Sequence, residues 1–252
     1  MQKEKGIDKV KKIIEELTLD GSPTLYFDDY PEKMHHSGGA ASETIYIYGE
    51  ALSEALNLSV LKYTPEALRA FVFGLGLGYI ETLICLKTNF QFEKILSCEK
   101  EVILIKQYSD WIKDLESAKK ETVQDRMFSG LRNQLQLSGI EVDEINSFRE
   151  KMKLKLNQNK IVLKEAFEFD SFKNEGQFHL INFDAFSNTT DRHFWSENFF
   201  DQFIQNHCAP QCVFATYAKT GALTRTLKKH GFTVKNKSGF SGKRESTLAI
   251  RS

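Results

Sequence analysis

The apolar positions at Ile7, Val10, Ile13, Ile14 and Leu17 fall at helical spacing, which predicts an amphipathic helix over residues 7–18. TLYFDDY predicts a short strand ending at Pro31, followed by the loop EKMHHSGGAASE with Gly38 and Gly39 as turn formers. TIYIYG alternates and predicts a second strand, and residues 50–58 predict a short helix. From Arg69 the rhythm changes. RAFVF reads as a buried strand running into GLGLG, GYIETLICLKTN as a helix, EKILSCEK as a strand and EVILIKQYSDWIKDLES as a helix. Residues 118–156 interrupt this order with two charged helical patterns, around MFSGLRNQLQL and VDEINSFREKMKL, expected to cover one end of the sheet. Alternation then resumes: KIVLKEA, HLINFDAF and CVFATYA predict strands, SENFFDQFIQNH and TGALTRTLKKHG predict helices, and FTVKNKSGF with ESTLAIR closes as a hairpin.

Strands alternating with helices predict an α/β fold: a Rossmann-like, mostly parallel sheet with a C-terminal antiparallel hairpin and an inserted helical pair. The expected organisation is an N-terminal cap over residues 1–68 and a core over 69–252, with the insert at about 118–156.

Composition changes this picture little. The 252 residues balance 34 basic against 34 acidic side chains, so net charge points to no polyanionic partner. Locally, residues 219–251 carry nine Lys and Arg against the single acid Glu245, either a solvated terminal surface or a phosphate-facing one. Cys85 and Cys98 lie in apolar runs and read as small core residues, while His207, Cys208 and Cys212 lack the second ligand pair of a zinc site. No metal is expected. The charged opening residues do not read as a signal peptide, and no apolar run reaches membrane-span length. A cytoplasmic setting and a monomer are the default expectations.

The strongest chemical signal is Gly74-Leu75-Gly76-Leu77-Gly78 after a buried strand. Glycines let the backbone approach a ligand closely, and the helix that follows offers free N–H groups. Glu99, at the end of the next strand, has the spacing of a carboxylate that grips ribose hydroxyls. The ligand is then a dinucleotide or S-adenosylmethionine; the dinucleotide fit is poor, because Tyr79 stands where the third glycine belongs. Glu165, at the end of the third strand, is placed to meet an adenine amino group or to be a solvated strand-end acid. Asp184, within FDAFS at the end of the fourth, is placed to face the reacting group or to cap a loop. Phe186 and Trp195 are candidates to stack on a planar base, with a core role as the alternative. His35 and His36 precede the glycine turn. No serine-hydrolase elbow or phosphate-binding P-loop is present.

These residues resemble the MnmC-like methyltransferase domain family, which acts in tRNA 5-methylaminomethyl-2-thiouridine biosynthesis and belongs to the class I S-adenosylmethionine-dependent methyltransferases. The likeness rests on HHSGGAASETIYIYGEAL, GLGLG with Glu99, FDAFS followed by Trp195, ATYAKTGALTRTLKKHGF and GFSGKRE, and covers the chain from about Leu25 onward apart from the helical insert. The resemblance implies that S-adenosylmethionine is the cofactor and that tRNA carrying an aminomethyl wobble uridine is the acceptor. It implies that Gly74, Leu75, Gly76 and Gly78 line the cofactor, that Glu99 holds its ribose and that Asp184 sits beside the acceptor amine. His36 and Glu43 belong to the first of these stretches and are expected near the acceptor; Lys243 and Arg244 contact the tRNA or stabilise the last hairpin. The chain departs from the family at Leu77, where threonine is usual, and at Asn188 and Asp191-Arg192, where prolines are usual, so the acceptor-pocket loop is altered. A different small-molecule or nucleic-acid acceptor, and a non-catalytic binding module, stay open as alternatives.

Overall fold

A computed structural model describes residues 12–113, 121–242 and 245–252. Its centre is a seven-stranded sheet in the order β5-β4-β3-β6-β7-β9-β8. The parallel strands are β3 (Arg69–Phe73), β4 (Lys94–Cys98), β5 (Ile161–Lys164), β6 (Phe178–Phe183) and β7 (Cys208–Thr216). β9 (Ser246–Arg251) runs antiparallel between β7 and β8 (Thr233–Lys237), as the expected hairpin requires.

Each central strand divides its side chains between two cores, because successive residues point to opposite faces. Ala70, Val72 and Leu180 face an aliphatic cluster, whereas Phe71, Phe73 and Phe183 face a phenylalanine-rich one. The aliphatic face is covered by α3 (Tyr79–Lys87), α4 (Val102–Lys113) and the insert helices α5 (Val123–Leu137) and α6 (Ile145–Asn157). The short α7 (Phe169–Phe172), α8 (Glu197–His207) and α9 (Gly221–Lys229) supply the other face. Burial on both faces is why these strands read as continuous apolar runs.

The insert starts at a capping box in which Thr122 and Asp125 bond each other's backbone N–H, and Asp125 also accepts from the Trp111 indole at 2.9 Å. Its Met127, Phe128, Leu131, Phe148 and Met152 extend the aliphatic core. α5 lies against α3, and α6 against α4 and the edge strand β5.

Two expectations for the N-terminal region are overturned. Residues 13–17, expected as helix, form β1 (Ile13–Leu17), paired antiparallel with β2 (Pro23–Phe27). The rest of that expected helix lies outside the described residues. The turn TLDGS decides the outcome: Gly21 takes φ of 79° and Thr18 N–H donates to Ser22 O at 2.9 Å, closing a hairpin whose backbone pairing overrides helical spacing. TIYIYG, expected as strand, is instead a π-helical turn (Ile45–Gly49) joining α1 (Ala40–Thr44) to α2 (Glu50–Leu56). The tyrosines mask a helical stripe of Ala40, Ala41, Thr44, Ile47, Tyr48, Ala51, Leu52 and Ala55, all buried.

The same TLDGS turn anchors α1. Thr18 Oγ1, Ser22 Oγ and Asp20 Oδ2 accept the N–H groups of Ala40, Ala41 and Ser42 at 3.1, 3.0 and 2.9 Å. These donors would otherwise be unpaired at a helix start. The HHSGG loop is thereby held over the ends of the sheet strands. No helix among the described residues is long and apolar enough to cross a membrane.

Candidate active site

The glycine loop leaves β3 and turns back to start α3. Its first residue cannot carry a side chain: Gly74 has φ of 96°, and a Cβ there would stand 2.6 Å from the Asp184 carbonyl oxygen. Asp184 follows β6 directly, and its N–H donates to Phe73 O at 2.7 Å. Gly78, with φ of 88°, precedes α3, and a Cβ there would strike the buried Tyr108 ring at 2.1 Å. Between them, Gly76 N–H donates to Glu99 Oε2 at 3.0 Å, while Glu99 Oε1 accepts the Glu101 N–H at 2.9 Å. Glu99 is buried, which raises its pKa against the lowering effect of these two donors.

Behind the loop lies Glu81, fully buried on α3. Ser97 Oγ donates to its Oε1 at 2.5 Å, and burial pushes its pKa up to about 8. At neutral pH this side chain is mostly a neutral acid packed under the loop.

A cavity of about 270 Å³ opens beyond the carboxyl ends of β3, β4 and β6, where ligands of open parallel sheets bind. Gly74, Leu75 and Gly76 form part of its wall, with Glu99, Asp184 and Phe186. A Cβ on Gly76 would approach only Met34 Sδ, at 3.8 Å across the cavity, so the bare backbone leaves room there for a ligand.

Asp184 is held by two tyrosines that sequence reasoning missed. Tyr48 Oη donates to Asp184 Oδ1, and Tyr217 Oη donates to the neighbouring Ala185 carbonyl at 3.0 Å. Tyr48 comes from the π-helical turn and is fully buried; burial first, and Asp184 second, raise its pKa well above that of a free phenol, so it remains a donor. π-Turns recur at functional sites because the extra residue re-aims a side chain. Tyr217 lay in plain view within ATYAK, one of the stretches that carry the family likeness.

Glu43 is buried in the cavity wall and accepts the His36 N–H at 2.7 Å. His35, rather than His36, lines the cavity; its Nδ1 lies 3.1 Å from Thr24 Oγ1. The strap after β2, whose Glu32, Lys33, Met34 and His35 line the cavity, is tied to the loop after β6. Glu32 Oε1 accepts from Ser187 N–H at 2.9 Å and Thr190 Oγ1 at 2.6 Å. Lys100 Nζ sits 4.6 Å from the Tyr30 ring centroid and 5.0 Å from that of Phe186, and pairs with Asp191 at 2.8 Å. Where the family usually has prolines, this loop is thus shaped by Lys100 and Glu32.

Three sequence-based expectations fare differently. Trp195 does not reach the cavity: it is buried in the phenylalanine core, and its indole donates to Phe186 O at 2.6 Å, so it supports Phe186 from behind. Glu165 lies exposed just past β5, where the chain turns and brings Ala166, Phe167 and Glu168 to the wall instead. Lys243 and Arg244 lie outside the described residues.

Five of the seven described Lys and Arg side chains of the C-terminal segment pair with acids, four of which lie outside the segment. Lys219 pairs with Glu245 at 2.8 Å, Lys229 with Asp201 at 2.7 Å and Lys235 with Glu54 at 2.5 Å; Arg225 pairs with Glu197 and Lys237 with Glu50. His207 is enclosed among phenylalanines, with Nδ1 at 3.4 Å from Gly176 O. Among the described residues, no His, Cys, Asp and Glu group could hold a metal ion.

Comparison with known proteins gives this geometry a chemical setting. Residues 124–252 match the family model described as S-adenosyl-L-methionine-dependent methyltransferase. A segment of 80 residues is 38% identical to the tRNA 5-methylaminomethyl-2-thiouridine biosynthesis bifunctional protein MnmC of Hahella chejuensis. It covers 32% of this chain and only 12% of that curated relative. The crystal structure of MNMC2 from Aquifex aeolicus superposes with a TM-score of 0.60 at 18% identity, covering 97% of this chain and 72% of the other. Spermidine synthase from Thermotoga maritima gives 0.53 at 12%, covering 98% and 72%. Human methyltransferase-like protein 13 in complex with SAH gives 0.50 at 13%, covering 84% and 82%. At these identities the structural likenesses establish the fold, and the family model establishes the lineage. The chain belongs to the family of S-adenosyl-L-methionine-dependent methyltransferases that this model describes.

Proposed function

We propose that this methyltransferase N-methylates the aminomethyl group of a modified wobble uridine in tRNA, with Asp184 beside the acceptor nitrogen. The observation that carries this reading is the Asp184 carboxylate at the cavity wall, oriented by Tyr48 and joined at Ala185 by Tyr217. A carboxylate so placed suits an amine, which has N–H bonds to donate and a proton to lose.

When bound, S-adenosylmethionine would supply an electrophilic methyl group on its sulfonium and, once the S–CH3 bond breaks, leave as the thioether S-adenosylhomocysteine. The loop residues Gly74, Leu75 and Gly76 would hold it and Glu99 would accept from its ribose hydroxyls, whereas Gly78, expected beside the cofactor from the sequence, lies outside the cavity wall and instead lets α3 start against Tyr108. The cradle that a Gly76 side chain would fill, and the carboxylate already tied to that glycine's N–H, fit such a ligand. Glu168, in the wall beside Phe167, takes the adenine-facing role for which Glu165 was the sequence candidate. Glu43 and His35 line the acceptor side.

Asp184 Oδ accepts an N–H of the acceptor and aims its lone pair, then takes the proton released as the new C–N bond forms. The amine must arrive neutral, and positioning supplies most of the rate advantage. The Tyr48 hydroxyl keeps the carboxylate in one rotamer and stabilises its charged form. The strap and Phe186 narrow the mouth and limit water.

A small cationic amine is the second reading, favoured by the wall itself. Glu32, Glu43, Glu99, Glu168, Asp184 and Asp191 line the cavity against only Lys33 and Lys100, although the whole chain is neutral. The two readings separate in a methyl-transfer assay with labelled cofactor. Label in hypomodified tRNA bearing aminomethyl-uridine is the expected result; label only in free polyamines or nucleosides would replace the RNA reading with the small-amine one.

A further inference from the structure

Beside the cavity, three rings from distant segments meet. His36 and Phe240 pack edge to face with centroids 5.8 Å apart, and Tyr46 lies 6.0 Å from Phe240. Phe240 belongs to the GFSGKRE stretch and His36 to the HHSGG loop, so two separate pieces of the family likeness converge here. The contact is close: a Cβ on Gly38 would stand 3.2 Å from Ser241 Oγ, and Ser241 itself adopts φ of 49°, unusual outside glycine.

This cluster continues the cavity wall. His36 follows His35, which lines the cavity, and donates its N–H to Glu43, which also lines it. Tyr46 precedes Ile47 and Tyr48, both lining residues. Tyr46 is nonetheless 38% exposed, and His36 and Phe240 are partly so. Its hydroxyl donates to Ser238 O at 3.0 Å and Lys237 Nζ lies 4.3 Å from its ring centroid, so the ring is fixed in place.

The surrounding charges identify the kind of partner. Lys237 is buried and bonded to Glu50 and Tyr46 O, and Lys219 and Lys235 are paired. A surface whose described cations are paired and whose rings are partly exposed grips planar uncharged groups better than phosphates.

We propose that Tyr46, His36 and Phe240 form a stacking platform for an unpaired nucleobase next to the acceptor nucleotide of an RNA loop. The platform rests on the RNA reading of the acceptor, and it places RNA affinity in base stacking more than in counterion release. That accommodates an RNA substrate on a protein of zero net charge.

The test is fluorescence anisotropy of the full chain with a labelled hairpin RNA carrying an unpaired loop, against a duplex of the same composition. Phe240→Leu and Tyr46→Leu fill similar volume without an aromatic face; each is expected to weaken hairpin binding about tenfold, while Phe240→Tyr retains it. S-adenosylmethionine affinity and melting temperature serve as controls for folding. The log–log salt slope for the hairpin should be no steeper than about −1.4, the release expected from two phosphates on a single strand. Variants that bind like the parent, a steep slope with equal duplex binding, or no hairpin binding at all would each overturn the platform. Affinity lost in the variants on an RNA the enzyme does not methylate would keep the platform and remove the acceptor assignment.

Discussion

Replacing Asp184 with alanine should lower turnover by about a thousandfold, within the range for a positioned proton acceptor, and leave S-adenosylmethionine affinity within about threefold of the parent. The separation follows from where the residue sits. Asp184 touches the glycine loop through its backbone: its N–H bonds Phe73 O, and its carbonyl abuts Gly74. Those contacts survive the substitution. The side chain instead engages Tyr48 and faces the cavity. Tyr48→Phe should give a smaller loss, about tenfold, since it removes one charge-assisted bond while the carboxylate stays. Single-turnover rates beside equilibrium titration of cofactor would measure both quantities. Parallel losses of rate and cofactor affinity would assign Asp184 to cofactor binding.

Gly78→Ala should be the most damaging single change in the loop. Alanine at φ of 88° is strained, and its methyl would overlap Tyr108, which is fully buried and within 3.2 Å of Thr82 Oγ1. Left-handed strain of roughly 1–2 kcal/mol and overpacking of roughly 1–3 kcal/mol together suggest a loss near 3 kcal/mol. For a chain of this length that lowers the melting temperature by roughly 6–12 °C. Thermal unfolding checks it, and Tyr108→Ala combined with Gly78→Ala should cost less than the sum of the two single changes, because the clash is shared. An unshifted melting temperature in Gly78→Ala would mean that α3 starts differently from the geometry described.

The sheet was legible because its strands are buried on both faces. RAFVF, KILSC and FHLINF leave almost no polar interruption, and each is followed by a helix with its own period. The glycine loop, Glu99 and Asp184 were legible for the same reason: strand ends can be counted, and ligands collect there. What escaped the sequence depends on contacts between remote segments. Ile13, Ile14 and Leu17 carry helical spacing, yet a tight turn pairs them with β2. Tyr48 was hidden by an alternation that mimics a strand, and only the flanking AASE and EALSEAL show that the helix runs through it. Trp195 offered a flat ring, but its indole bonds Phe186 O inside the core. The nine cations of the C-terminal segment left a phosphate-facing surface open, whereas Glu50, Glu54, Glu197 and Asp201, distant in sequence, return to pair with four of them.

Glu99 and the glycine loop are the proposed cofactor cradle, joined through the Gly76 N–H. The direct measurement is calorimetric titration of S-adenosylmethionine into the purified chain and into Glu99→Ala. Two charge-assisted bonds to ribose hydroxyls, and the loosened Gly76 N–H, predict at least about a hundredfold weaker binding in the variant with its fold intact by melting temperature. Equal affinity in both proteins would contradict this cradle, and would place the cofactor away from the ends of β3 and β4.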